Sequence, residues 1–521
     1  MIVELEVLLE DKPGTLIKML SPISENNCNI HGIFHGPKRE KDNLIPVFVK
    51  FEVPDDVYRQ VIEEIGRRLA EINAQVIKFD PIGLTTRDVK AKRKGVLIIL
   101  DGSADLPMEE LEGRTPLEAA HTPTLDQMAA GGVNGAFTAL GPSKLVGSDT
   151  AIMSILGYDP YKFYTGRGPL EVAGVGLEIQ PGDVSFRCNY VTVTDDFKIV
   201  NRTAGYPRQG TEILEEELNK IRLSDPKVEF IFRNSKDYRC VLRFRGYNLS
   251  AKVSDMDPNY NAIPDALDNL DLLLPGEAKI ILAKPTQATP EAKNTAKILN
   301  EFVTKAHLVL KGSPFNKKRI VEGLPPANAV LPRGAGETPS FKSFLSEWGI
   351  NAGCISGTGL VKGMAKLMGM EVPEVPGATG YVDTDYLSKA KSGLELLNNN
   401  CDFVVIHIEG IDEVSHDGDV GAKIKALEDS SEILTRYLVD NAPEDLLFCV
   451  LSDHTTSCRL GDHTSDYTPV MFWSKKPSFR VDNVRRYSEI DCLSGGLGNL
   501  QGADIMPLMM SYMGRTAKYG A

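Results

Sequence analysis

Three short apolar runs, each leading into an acidic residue, constrain this chain more than any other feature. Val96-Leu-Ile-Ile-Leu100 ends in Asp101, Phe403-Val-Val-Ile-His-Ile408 runs on to Asp412, and Leu447-Phe-Cys-Val-Leu451 leads to Asp453. Such runs, apolar almost throughout, read as strands buried on both faces, the signature of a parallel sheet covered by helices. Open sheets of that kind bind ligands outside the carboxyl ends of their strands. Three carboxylates delivered to one edge repel one another unless cations lie between them. Of the eight histidines, His416, His454 and His463 fall in the same stretch, interleaved with Asp412 and Asp453. Imidazoles mixed with carboxylates suit Mn²⁺, Zn²⁺ or Co²⁺. Any one of these residues alone is an ordinary strand-end or turn residue; five in this order point to a metal centre.

One hydroxyl stands out beside them. Gly147-Ser-Asp-Thr150 precedes the helix-like Ala151–Leu156, which puts Ser148 at a helix N-terminus. Serine there is a common cap, and the same position favours an anion on its oxygen. The overall charge of −13 (58 Lys and Arg against 71 Asp and Glu) excludes sequence-independent nucleic-acid binding, which needs excess cation. An anionic substrate then requires locally gathered cations, and Arg167, Arg187, Arg202, Arg239 and Lys362 are the candidates. The glycine-rich pieces Gly334–Gly336 and Pro376–Gly380 match neither GxxxxGK[ST] nor GxGxxG, so no ATP-type phosphate loop is expected. No apolar run approaches the roughly 20 residues of a membrane span. Eight cysteines with no CxxC pair read as free thiols in a reducing, cytoplasmic setting.

The pattern divides the chain. Residues 1–82 give the order β-α-β-β-α-β of a ferredoxin-like unit, with a turn at Asp11–Gly14. The polar stretch 83–94 reads as a linker. Residues 95–164 and 326–521 carry the parallel-sheet pattern, with further strands expected at Lys279–Leu282 and Val470–Trp473. Residues 165–325 contain alternating strands such as Val184–Thr194 and Cys240–Arg245, and read as an inserted α+β block.

The motifs Asp101-Gly102, Gly113–Ala120, Gly147–Ala151, Gly157–Pro160, Gly166–Pro169, Gly182–Asn189, Leu331–Gly336, Val375–Gly380, Asp412–Asp419 and Ser452–Thr456 resemble, in this order, the archaeal-type cofactor-independent phosphoglycerate mutase family of the alkaline phosphatase superfamily. The likeness runs from about residue 95 to the C-terminus. Residues 1–82 separately resemble an ACT domain, through Asp11–Gly14 and Asn29-Ile30.

The resemblance implies an alkaline-phosphatase-like, mostly parallel sheet with helices on both faces, and two divalent ions. Manganese is favoured, with magnesium, zinc and cobalt as alternatives. Asp101, Ser148, Asp453 and His454 correspond to the ligands of one ion, and Asp412, His416 and His463 to those of the other. It further implies a phosphoserine at Ser148, interconversion of 2- and 3-phosphoglycerate in glycolysis and gluconeogenesis, and no need for 2,3-bisphosphoglycerate. The arginines of the inserted block and Lys362 would hold substrate beneath a closing lid. The ACT resemblance implies an amino-acid effector near Asp11, Gly14 and Asn29, between paired copies of the chain. Two departures from the family pattern, Tyr238 and Asn259, face substrate and leave its identity open. Transfer to or from another small alcohol such as homoserine, phosphohydrolysis, and a catalytically idle amino-acid sensor are the alternatives.

Overall fold

The computed structural model describes residues 2–10, 12, 14–25, 28–35, 44–53, 58–71, 74–82, 93–258 and 278–516. Asp11, Asn259 and most of the expected linker (83–92) lie outside them. The chain forms two compact units, 1–91 and 92–521.

In the first unit, strands Ile2–Glu10, Asn29–His35, Leu44–Glu52 and Gln75–Ile82 alternate with helices Thr15–Glu25 and Tyr58–Glu71 in the expected order. The strands pair antiparallel, with Ile2–Glu10 between Leu44–Glu52 and Gln75–Ile82. Val3, Leu5, Val7 and Leu9 share one face, where they meet Met19, Ile23, Val61, Ile65 and Leu69 of the helices. The period of two in the strands and of three to four in the helices directs both sets into one core.

The second unit is built on a seven-stranded sheet in the order Ala352–Ile355, Phe403–Ile408, Gly95–Leu100, Leu447–Leu451, Thr468–Trp473, Val133–Thr138, Asn499–Gln501. Only Thr468–Trp473 runs against the others. Along Gly95–Leu100, Leu97 and Ile99 enter one core while Val96, Ile98 and Leu100 enter the other, so helices cover both faces. Leu100 lies level with Ile408, and Ile99 with Leu451, so three strands end together at one edge.

A five-stranded sheet lies in the middle of this unit. Val184–Val193 pairs with Ala329–Glu337, Arg239–Gly246 and Ile199–Asn201, and Val228–Asn234 forms the far edge. Two expectations change here. Ala329–Glu337 belongs to this sheet, so the sheet draws on the chain beyond residue 325; its backbone pairing to Val184–Val193 decides this, and apolar pattern alone cannot reveal it. Lys279–Leu282 is no strand of the large sheet: Lys279 makes a single bridge to Lys198 and Ile280 packs into the core of the smaller sheet.

Helix Arg167–Gly174 crosses helix Gly359–Leu367 at backbone contact. A Cβ on Gly363 would lie 1.7 Å from the Leu170 carbonyl oxygen, and one on Gly174 would lie 2.0 Å from that of Gly359. The crossing fixes the helices that carry Arg167 and Lys362. Gly363→Ala should therefore lower unfolding stability by about 3 kcal/mol. Gly312→Ala, whose Cβ would meet nothing within 4 Å, should change it by less than about 1 kcal/mol; calorimetry of both variants checks this.

Candidate active site

The three level strand ends bring Asp101, Asp412 and Asp453 to one place. Asp101 directly follows its strand, Asp453 lies two residues beyond its own, and Asp412 sits in the helix Gly410–His416. Between Asp101 and the rest the chain turns at Gly102, with φ +61°. A Cβ at Gly102 would lie 2.6 Å from Thr456 Oγ1 and 2.7 Å from Asp412 Oδ1, so only glycine allows this approach.

Two groups of ligand-type atoms result. Asp101, Asp453 and His454 each place one within 4.8 Å of the others, as do Asp412, His454 and His463. His454 thus faces both groups, whereas the family resemblance places it with one. His416 joins the second group, its Nε2 lying 3.1 Å from His463 Nε2 and 3.5 Å from Asp412 Oδ2.

The hydrogen bonds orient the rings. His416 Nδ1 donates to the Gly461 carbonyl (2.8 Å) and His463 Nδ1 to that of Val146 (2.7 Å). A carbonyl only accepts, so both Nδ1 atoms carry protons and both Nε2 atoms aim at the cluster. The Thr456 hydroxyl donates to Asp412 Oδ1 (2.6 Å) and therefore accepts from His454 Nδ1 (3.0 Å). That turns His454 Nε2 toward Asp101 Oδ1 (3.4 Å), Asp453 Oδ2 (3.3 Å) and Ser148 Oγ (3.3 Å). Both carboxylate oxygens are buried and have no hydrogen-bond partner among the described residues.

Lone pairs facing lone pairs are repulsive unless positive charge lies between them. Burial, then the charges of Asp453 and Asp412, push the Asp101 carboxyl well above its usual range. Burial would raise Asp412 as well, but hydrogen bonds from His416 and His463 outweigh it and hold that carboxyl low. Asp412 in turn lifts His416 to about 9. Protons here neutralise what divalent ions would neutralise better. The donor set of carboxylate oxygens, imidazole nitrogens and one hydroxyl fits such ions.

Ser148 is the first residue of helix Ser148–Ile155, with Gly147 as its cap. The cationic candidates scatter more widely. Arg167 pairs with Glu171 (3.0 Å), Arg239 with Glu413 (2.7 Å) and Lys362 with Glu374 (2.8 Å). All three line a cavity of about 840 Å³ that also touches Glu409, Glu413 and Tyr381. Glu413 follows Asp412 directly, so the cavity opens beside the cluster. Arg187 does not line it; it is 7 % exposed and its Nε has no hydrogen-bond partner among the described residues. Burial, then Arg167 and Arg333, push its guanidinium down to about 9. Arg202 is committed elsewhere: both oxygens of buried Asp257 take its guanidinium, and it lines no part of the cavity.

Sequence reasoning missed His407, which donates from Nε2 to Asp101 Oδ2 at 2.8 Å. Burial holds its ring neutral, with the pKa down to about 3. The available signal was an imidazole inside an otherwise apolar strand. It also missed Thr456, Glu409 and Lys389. Lys389, 1 % exposed, donates to the carbonyls of His407 (3.2 Å) and Thr379 (3.3 Å), which joins the strand behind Asp101 to the cavity wall. Burial, partly offset by Glu409, pushes its pKa from 10.5 to about 8. Below pH 8 the lysine is protonated in both folded and unfolded chains. Between pH 8 and 10.5 the folded protein sheds the proton first, so its stability rises with pH. Across that window the wild type should gain roughly 3 kcal/mol over Lys389→Met in urea denaturation.

Residues 129–316 match the family model described as 2,3-bisphosphoglycerate-independent phosphoglycerate mutase, and residues 3–70 match the ACT domain model. The chain is 41% identical over 429 residues to 2,3-bisphosphoglycerate-independent phosphoglycerate mutase 1 of Methanothermobacter thermautotrophicus, covering 82% of this chain and 100% of that protein. The enzyme of the same name from Methanocaldococcus jannaschii is 41% identical over 433 residues, with the same coverage. Among solved structures, a Pyrococcus horikoshii protein is similar at TM-score 0.68 and 34% identity, over 82% of this chain and 100% of that one. The cofactor-independent phosphoglycerate mutase of Thermoplasma acidophilum is similar at TM-score 0.55 and 29% identity, over 80% and 99%. With relatives this similar along their whole length, the chain belongs to the 2,3-bisphosphoglycerate-independent phosphoglycerate mutase family.

Proposed function

We propose that this chain interconverts 2- and 3-phosphoglycerate without 2,3-bisphosphoglycerate, passing the phosphoryl group through Ser148. The observation that carries the reading is the Ser148 hydroxyl, 3.3 Å from His454 Nε2 at the edge of the carboxylate–imidazole cluster. Asp101, Ser148, Asp453 and His454 would hold one divalent ion, and Asp412, His416 and His463 the other. Such ions, manganese first among them, supply charge neutralisation at the phosphoryl oxygens and a lowered pKa for the serine hydroxyl.

The chain's own residues do the rest. Ser148 Oγ gives up its proton and bonds to phosphorus as the bond from phosphorus to the substrate's ester oxygen breaks and that oxygen takes up a proton. Arg167, Arg239 and Lys362, which line the cavity, bind the phosphate and carboxylate groups and keep glycerate from escaping while it turns, with Arg187 held beside Glu171 outside the lining. Its other hydroxyl then gives up a proton and bonds to phosphorus, and the bond to Ser148 Oγ breaks. Water must be kept out meanwhile, because its attack on phosphoserine releases phosphate. The inserted block, read as spanning 165–325, serves as that cover.

The cavity favours a second reading as well. Carboxylates and cations line it in near-equal numbers, whereas phosphoglycerate is strongly anionic. Glu409 Oε2 has no hydrogen-bond partner among the described residues, and burial with Glu413 pushes its carboxyl up to about 8. A small alcohol that also bears an ammonium group, such as homoserine, would satisfy that oxygen.

Regulation through the N-terminal unit completes the proposal, with an amino acid bound between paired copies of the chain. Gly14, at φ +85°, has nothing within 4 Å of the place a Cβ would take, and Asn29 is exposed at the start of its strand. Serine, made from 3-phosphoglycerate, is the first effector to try. The eight cysteines are buried and show no CxxC pair, which supports work in a reducing compartment.

An enolase-coupled assay with Mn²⁺, with phosphate release measured alongside, tests the main reading. The wild type should turn over without added 2,3-bisphosphoglycerate and stop on chelation. Ser148→Ala should lose at least about 10³-fold in kcat while still binding some Mn²⁺. A near-normal rate would refute the phosphoserine route. Faster phosphate release than isomer formation, or ATP consumption with homoserine, would favour the second reading. Serine added to the full chain should change both kcat/KM and sedimentation.

A further inference from the structure

Lys423 is a lysine with no exposed surface in the middle of the second unit. Burying an ammonium is unfavourable unless every proton finds an acceptor. Here each does: Nζ donates to the Thr456 carbonyl at 2.7 Å, to Asp105 Oδ2 at 2.9 Å and to the Ala104 carbonyl at 3.1 Å.

The origin of these acceptors matters more than their number. Ala104 and Asp105 lie three and four residues after Asp101. Thr456 lies three residues after Asp453 and donates its own hydroxyl to Asp412. Lys423 itself stands on helix Val420–Asp429, which follows the helix carrying Asp412 and His416. One ammonium therefore joins the three segments that deliver the acidic cluster. Asp105 strengthens the joint by accepting from the Cys458 backbone N–H (3.1 Å). The Thr456 N–H donates to the Ala104 carbonyl (3.1 Å), and the Ser103 N–H to Ser452 Oγ (3.0 Å).

We infer that Lys423 is a positioning residue for the metal centre, holding the Asp101, Asp412 and Asp453 segments in register so that the site is already formed before ions arrive. This rests on the proposed metal reading. Carboxylates gathered without ions push their segments apart, and a cation held some residues behind them opposes that spreading without occupying the site. An apolar side chain would fill the volume but could not tie its own helix to the oxygens of the two other segments.

Mn²⁺ binding to the full-length apoprotein, followed by electron paramagnetic resonance, tests it, with thermal unfolding in EDTA as a separate readout. Lys423→Met/Asp105→Asn removes both charges together, so that neither is left buried and unpaired. It should bind Mn²⁺ about 10- to 100-fold more weakly than wild type, even where its unfolding temperature in EDTA is little changed. Asp105→Asn alone keeps both carbonyl acceptors for Lys423 but removes its counter-charge, and where that variant folds it should weaken binding at least about threefold. A purely structural lysine would lower the unfolding temperature and leave the Mn²⁺ affinity of the folded protein unchanged. Wild-type affinity in either folded variant overturns the inference. Failure of the wild type to bind Mn²⁺ would instead overturn the metal reading itself.

Discussion

Electrostatic repulsion at one edge of the large sheet governs the rest of this structure. Three parallel strands end level, and their acidic groups arrive among imidazole nitrogens whose lone pairs point the same way. Side chains so placed stay folded together only if positive charge joins them and if the segments behind them are tied down. The ties are visible. His407 holds the far oxygen of Asp101, Thr456 holds Asp412 and turns His454, and backbone carbonyls fix the rings of His416 and His463. Buried polar groups at this density are tolerable only when their other hydrogen-bonding positions are filled.

The cavity beside the cluster depends on a different constraint, the backbone contact between helices Arg167–Gly174 and Gly359–Leu367. It brings Arg167 and Lys362 to one cavity although they lie far apart in the chain. The strands of the smaller sheet contribute from the other side. Arg239 reaches the cavity from the start of its strand, whereas Arg187, opposite Arg333 in the pairing of Val184–Val193 with Ala329–Glu337, does not line it. The acidic cluster and the cavity meet at Glu409 and Glu413, which flank Asp412. Adjacent residues of one helix, Asp412 and Glu413, thus face the acidic cluster and the cavity.

Much of this was legible before folding was considered, and the reasons are specific. Runs such as Val96–Leu100 are too apolar for a one-sided strand, and an acid after such a run lands at a sheet edge by geometry alone. Alternation in Val3–Val7 marked the N-terminal sheet in the same way. What escaped detection depends on partners. Ala329–Glu337 contains Pro332 and four glycine or alanine residues, so nothing in its pattern says which sheet it joins. Arg202 looked as well suited to an anion as Arg239, but buried Asp257 lies beside it. His407 hid because one imidazole in a buried strand reads as core. Lys423 hid because a lysine on an amphipathic helix is ordinarily solvated, and only its three acceptors reveal otherwise.

The central claim is that the converging acids and imidazoles cage two divalent ions beside Ser148. Anomalous X-ray scattering at the manganese edge, from crystals of the full chain grown with Mn²⁺, addresses it most directly. The account predicts two peaks, one among Asp101, Asp453 and His454 and one among Asp412, His416 and His463. A single peak outside these residues, or none at saturating Mn²⁺, would contradict it.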